Sequence, residues 1–214
     1  MNLYIFNKLS QASVFGIGTY IRELTDALRH SNINVCVINF WSDKPQIQSE
    51  EIDGIKHWHF PEPKREQRST DLKKQLELYH RNIVYLLQIL IEDKKDLIFH
   101  LNYMDCKPLA DSLRAVFDCK IVLVVHYLES IITLLGNISR FRRIISQTNE
   151  LTDKEEISAK VSFQEEKEIL QSHSIDKIIC LANHTFDLLH QDYQIEKEKM
   201  VVIANGLSDA SIDT

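Results

Sequence analysis

Glycine is scarce in this 214-residue chain. Its five glycines are about a third of the usual share, so each is expected to mark a backbone geometry that the fold requires. Cysteine is sparse as well. Cys36, Cys106, Cys119 and Cys180 form no C-x-x-C pair, and three of them lie in or beside aliphatic runs, which fits buried free thiols in a reducing cytoplasm rather than a disulfide framework or a zinc site. Positive charge is in deficit: 25 Lys and Arg against 31 Asp and Glu leave a formal net charge of −6, which excludes a general nucleic-acid binder because phosphate neutralisation needs a concentrated basic surface. No apolar run approaches the ~20 residues of a membrane span. The start, Met1 to Phe6, lacks the basic opening and long apolar core of a signal peptide.

What is present is an ordinary globular mixture, 44% hydrophobic and 26% charged, long enough for one large domain with its own core. Short aliphatic runs alternate with helical patterns, the mark of β-α-β units and a mostly parallel, twisted sheet in a Rossmann-like three-layer α/β/α fold. Strands are expected at 3–6, 35–40, 55–60, 96–101, 120–125, 177–181 and 200–203. Apolar residues at Ile17, Ile21, Leu24 and Leu28 give one helix its buried stripe. Leu72, Leu76, Tyr79, Ile83, Leu87 and Leu90 give a longer helix its face, starting near Ser69 or Thr70 after a proline-containing loop at 61–70. Further helices are expected at 108–117, 153–172 and 185–193, with a less regular stretch after residue 126. Residues 1–204 read as the domain and 205–214 as the start of a linker.

Gly16-Ile17-Gly18 opens the first helix, where free N–H groups and the positive dipole end suit an anionic ligand. A dinucleotide fingerprint would need a third glycine where Ile21 stands and a much shorter loop after the strand, so a nicotinamide oxidoreductase is a poor fit. The polar loop, with Asn7, Lys8, Ser10, Gln11 and Ser13, still suits an anionic or hydroxylated ligand; alternatively the glycines only let the helix pack closely. No phosphate-loop, serine-hydrolase, zincin or D-x-D motif is present. His57 and His59 share a strand face, a geometry that can hold a metal, but no third ligand is near in sequence. Arg140, Arg142 and Arg143, interleaved with Phe141, Ile144 and Ile145, form a basic-amphipathic patch that either touches an anionic lipid or phosphorylated acceptor or is a solvated helix face. Glu165, Glu166 and Glu168 read as a solvated helix, Glu168 also as an anchor near the glycine loop.

Three stretches resemble one family. Val14 to Leu24 is similar to a glycine-rich loop running into a first helix. Asp96 to Asn102, followed by Lys120 to His126, is similar to paired strands that end in histidine. Glu168 to Leu181 and Val201 to Gly206 are similar to a glutamate-bearing helix, an aspartate-led strand and an asparagine-glycine crossover. Together these resemble the N-terminal Rossmann-like domain of a GT-B glycosyltransferase of the large retaining family four. Phe15, Ser174-Ile175, Ala182 and Leu207-Ser208 depart from the common pattern and mark a divergent member.

The resemblance implies an acceptor-side domain whose partner, a C-terminal donor-binding domain, lies outside this chain. The chain by itself is then inactive or nearly so. The substrates would be a nucleotide-diphosphate-sugar donor and a glycan or lipid-linked acceptor, with no cofactor and no metal required, in the cytoplasm or on the inner face of its membrane with weak peripheral contact. His126 is implied as the catalytic residue, hydrogen bonding near the reacting carbon rather than acting as general base, since the leaving phosphate is thought to take the acceptor proton. Gly16, Ile17 and Gly18 would face donor phosphates or acceptor, Asn102, Tyr103 and Glu129 would line the acceptor pocket, and His100 would pack or anchor a loop. The competing reading is a non-catalytic Rossmann-like module that binds a phosphorylated or nucleotide ligand.

Overall fold

The computed structural model describes residues 1–8, 16–63, 71–147 and 151–206, with only the backbone of Leu72 and Lys73. Among these residues one sheet of eight strands runs in the order β3-β4-β2-β1-β5-β6-β7-β8. Its strands are β1 (Asn2–Lys8), β2 (Asn34–Ser42), β3 (Gln48–Ile52), β4 (Ile55–Pro61), β5 (Leu97–Leu101), β6 (Cys119–Val125), β7 (Lys177–Cys180) and β8 (Met200–Val202). All neighbours pair in parallel except β3 with β4. The helices are α1 (Gly16–Leu28), α2 (Leu72–Leu90), α3 (Lys107–Val116), α4 (Glu129–Ile132), α5 (Ile138–Ser146), α6 (Lys154–Leu170) and α7 (Asn183–Gln191). This is the expected Rossmann-like α/β architecture.

Each expected strand forms, within a residue or two at its ends, because its aliphatics fill the interior: Ile5, Ile38, Phe99, Ile121, Leu123 and Ile178 are fully enclosed. In β6 both faces are buried from Leu123 onward, and only Lys120 is exposed. α2 begins later than its pattern suggests because Asp71 caps it, accepting from the Lys74 N–H at 3.1 Å. Its core face is His80, Ile83, Val84 and Leu87, and it packs against α3.

Three elements depart from the expectation. β3 is a polar edge strand joined to β4 through Asp53 (φ 50°) and Gly54 (φ 78°) with Ile52 paired to Ile55, the two-residue hairpin turn that needs positive φ at both positions. The stretch after residue 126 is helical in α4 and α5, separated by a turn in which Leu135 (φ 53°) and Gly136 (φ 77°) are left-handed. Asn137 caps α5 by accepting from the Arg140 N–H at 2.9 Å.

One clasp fixes the middle of the sheet. Asp176 accepts from the Ile121 N–H at 2.7 Å and from Arg114, which also donates to the carbonyls of Cys119 and Ser174. Burial pushes the Asp176 carboxyl upward, but the Ile121 N–H bond and the Arg114 charge outweigh it and hold the carboxyl below its ordinary range. The starts of β6 and β7 are thereby locked in register.

Candidate functional site

The strand order reverses at β1: β2 lies on one side of it and β5 on the other. In open parallel sheets such a switch point leaves a crevice outside the carboxyl ends of the strands, where ligands bind. β1 ends there in Asn7 and Lys8, β5 continues into Asn102 and Tyr103, and β6 into His126 and Tyr127. α1 starts there at Gly16.

Most of these residues fall into two neighbouring hydrogen-bonded groups, one around Asn102 and His126 and one around Tyr103 and Asn7. Asn102 is 2% exposed; its Nδ2 donates to the Phe6 carbonyl at 3.0 Å and its Oδ1 lies 3.0 Å from His126 Nε2. Tyr20, from the second turn of α1, sets its ring edge-on to His126 at 4.9 Å and its hydroxyl 3.3 Å from His100 Nε2. The Tyr103 hydroxyl accepts from the Lys8 N–H at 2.9 Å and lies 3.2 Å from Asn7 Oδ1. Asn7 Nδ2 donates to Asn39 Oδ1 at 2.8 Å, and Asn39 Nδ2 lies 3.2 Å from His57 Nδ1. A polar row thus runs across the strand ends from the residues after β5 to β4.

Burial controls the protonation states. It pulls the His126 imidazole down to about 4. It does the same to His100, with the neighbouring His126 ring adding to the effect and the Asn102 amide opposing it. Burial also pushes the Tyr20 phenol up to about 12. At neutral pH both histidines are therefore uncharged. A neutral imidazole this weakly basic is a hydrogen-bonding group, not a strong general base. The cation of the site is Lys8, whose Nζ is 2.7 Å from Asp105 and 5.3 Å from the Trp41 ring centre.

The sequence-derived site residues divide on this map. His126, Asn102 and Tyr103 come together at the strand ends. Gly16 is exposed, with open space where a Cβ would stand, while the Ile17 side chain is buried in the core, which leaves only its backbone to offer. Gly18 lines a cleft of about 200 Å³ between α1 and β2–β4, together with Arg22, Asp53 and the Asn7 and His57 ends of the polar row. Glu129 is exposed at the start of α4. Ser10, Gln11 and Ser13 of the polar loop lie outside the described residues. Lys8, part of the polar loop that suits an anionic ligand, and Tyr20 also belong to the site; Tyr20 carries no signal of this in the sequence, since it sits one residue before Ile21 of the apolar stripe and reads there as packing. A larger groove of about 570 Å³ lies elsewhere, between α2, α3 and α6.

Several sequence readings change. Glu166 is not solvated: it is 3% exposed and accepts from the Ser130 N–H at 3.2 Å, the Ser130 hydroxyl at 2.6 Å and the Tyr193 hydroxyl at 2.6 Å. Burial raises its carboxyl, and the Ser130 and Tyr193 bonds oppose that rise. Glu168 lines the 570 Å³ groove with Lys107, not the glycine loop. The arginines form a solvated helix face, as one of the two sequence readings has it, paired at the surface with carboxylates of the chain: Arg140 with Asp153, Glu155 and Glu156, Arg143 with Glu156, and Arg142 with Asp192. They fasten α5 to α6 and to the end of α7. His57 is tied to Asn39, and His59 Nε2 lies 2.8 Å from Glu50. Among the described residues no three His, Cys, Asp or Glu side chains are grouped so as to hold a metal.

A doubly wound α/β domain with a neutral histidine at the carboxyl end of a central strand, beside its switch point, is the class that this geometry defines. The family profile described as Glycosyltransferase Family 4 matches residues 14–210, and the chain belongs to that family. No curated protein matches it by sequence. Among solved structures it is similar to a sucrose-phosphate synthase chain from Thermosynechococcus elongatus, with 12% identity, a TM-score of 0.56, and 97% of this chain and 91% of that one covered. It is also similar to the catalytic domain of starch synthase IV from Arabidopsis thaliana, solved with ADP and acarbose, at 14% identity and a TM-score of 0.58, covering 96% of this chain and 51% of that one. An α,α-trehalose-phosphate synthase (UDP-forming) from Burkholderia vietnamiensis is similar at 8% identity and a TM-score of 0.52, covering 95% and 47%. These likenesses define the GT-B type of Rossmann-like fold. The chain spans about half the length of the last two.

Proposed function

We propose that this chain is the acceptor-side, N-terminal half of a retaining glycosyltransferase. It would work with a second α/β domain that holds a nucleotide-diphosphate-sugar, and the sugar passes to a glycan or lipid-linked acceptor in the cleft between the two. The observation that carries the reading is His126: an uncharged imidazole held at the carboxyl end of a central strand and hydrogen bonded to Asn102 at the end of β5, the strand that flanks the switch point. From there it can hydrogen bond to a hydroxyl of the transferred sugar and steady developing charge in the transition state. No metal or cofactor enters this reading. The coverage of about half of the starch synthase and trehalose-phosphate synthase chains supports the two-domain arrangement.

Lys8 and the exposed Glu129 would meet the acceptor, the buried Tyr103 would hold the end of β1 in place beside it, and the backbone N–H groups at Gly16, Ile17 and Gly18 would approach donor phosphates or acceptor. The arginine patch is committed to carboxylates, so the reading assigns it no lipid contact. Among the described residues no helix is long and apolar enough to cross a membrane. Calorimetric titration of uridine, adenosine and guanosine diphosphate-sugars tests the division of labour. The 214-residue chain should bind none of them tightly, whereas the same chain joined to a downstream α/β domain should bind one and transfer its sugar. Micromolar nucleotide-sugar binding by the 214 residues alone would contradict the proposal.

A further inference from the structure

Asn102 was expected to line the acceptor pocket, yet both ends of its amide are used inside the protein. The carbonyl of Phe6 can only accept, so the group 3.0 Å from it must be the Asn102 nitrogen; the reverse orientation would set two oxygens against each other. With the nitrogen so placed, the amide oxygen faces His126 Nε2 at 3.0 Å. An amide oxygen only accepts, so Nε2 must carry the proton. A neutral imidazole has one N–H, and His126 Nδ1 is then a bare lone pair that makes no hydrogen bond among the described residues.

We propose that Asn102 is a positioning residue that fixes His126 as the Nε2–H tautomer, so that the group received at Nδ1 must be a hydrogen-bond donor: a sugar hydroxyl, and not a phosphate or carbonyl oxygen. The chain from the Phe6 carbonyl through the Asn102 amide to the imidazole ties the histidine to the end of β1, the strand at which the sheet order reverses. The Tyr20 ring, edge-on at 4.9 Å, limits rotation of the imidazole on another side. The same atoms explain why Asn102 is 2% exposed although it follows a strand that ends at the crevice. The ligand chemistry rests on the function proposed above; the tautomer does not.

The test separates the two. Nitrogen-15 spectra of the histidine-labelled 214-residue chain at pH 7 report which ring nitrogen is protonated. His126 is expected to show protonated Nε2 and unprotonated Nδ1. Asn102→Leu, which removes the acceptor, should give a mixture of tautomers, and Asn102→Asp, which keeps an acceptor and adds negative charge, should retain Nε2–H and raise the imidazole pKa. The signals of His80, buried away from this site and held neutral only in the folded chain, report whether each variant is folded. A wild-type His126 protonated on Nδ1, or an Asp variant with an unmoved pKa, overturns the assignment even where the Leu variant fails to fold. In the two-domain protein, Asn102→Leu should lower kcat about 10–100-fold, by analogy with the loss of hydrogen bonds that orient metal-bound imidazoles, with KM for the donor nearly unchanged. A shifted tautomer with unaltered kcat would count against His126 as the reacting-site residue and leave the tautomer assignment standing.

Discussion

Acid should unfold this protein earlier than a chain of ordinary composition, and the reason lies in its buried neutral histidines. His80 and His100 are 2% and 5% exposed. Burial first pulls each imidazole from 6.5 down to about 4; at His80, Lys8 adds to the effect and Asp105 opposes it. In the unfolded chain both take up protons near pH 6.5, whereas the folded chain resists until about pH 4. The unfolded state therefore binds more protons throughout that window, and stability falls as the pH falls. One such group loses about 1.4 kcal/mol per pH unit, hence about 3.4 kcal/mol across the window, and the pair about 7 kcal/mol, against the 5–15 kcal/mol typical of a whole domain. His126 acts in the same direction, reduced by its partial exposure to solvent. Glu166 acts the other way, because its raised carboxyl gains stability on protonation. Urea unfolding followed by tryptophan fluorescence at intervals from pH 7.5 to 4.5 should show the midpoint falling steeply below pH 6.5. His80→Phe replaces a ring that packs edge-on to Phe40 and should flatten the profile by about one proton, near 1.4 kcal/mol per pH unit. A level profile from pH 7.5 to 5, or a variant whose slope equals the wild type's, would refute the reasoning.

Replacing Glu166 by Ala strands the Ser130 and Tyr193 donors, each worth about 1–3 kcal/mol when buried and unpaired; a loss of about 3–5 kcal/mol is expected in urea unfolding, and a loss below about 1 kcal/mol would show that water replaces the carboxylate. Asp176→Asn weakens the clasp between β6 and β7 and should lower stability by about 1–3 kcal/mol, with faster amide exchange at Ile121. All four cysteines are free and buried, and burial raises their thiols, Cys36 to about 12 and Cys180 to about 11. A thiol reagent at pH 8 should therefore find none in the native protein within minutes and four in denaturant.

The aliphatic runs made the parallel strands legible because a strand buried between helices must be apolar on both faces, as β6 shows from Leu123 onward. β3 was not legible in this way: Gln48-Ser49-Glu50-Glu51 is an exposed edge with no apolar alternation, although Asp53-Gly54 next to it is a hairpin signal in its own right. α5 was legible only as a basic-amphipathic helix face around Arg140 to Ile145; its bounds were not, although Asn137 caps it and Ile138, Phe141 and Ile145 keep helical spacing. Glu166 was misread because its charge outweighed its place in the Ala159, Phe163, Glu166, Leu170 series, and because Ser130 and Tyr193 lie 36 and 27 residues away. The place of His126 at the end of β6 was legible in the sequence, but its role in a site was implied by the family resemblance rather than by that position. The inward use of Asn102 was not legible, since nothing near it in sequence indicates that Phe6 and His126 converge on its amide.

The central claim, that His126 touches the sugar being transferred, is tested most directly by steady-state kinetics of the two-domain protein carrying His126→Ala. Loss of one hydrogen bond placed for the transition state predicts a fall in kcat of about 10²–10³, with the nucleotide-sugar KM changed little and the circular dichroism unchanged. A variant that folds and turns over within about twofold of the wild type would contradict the account.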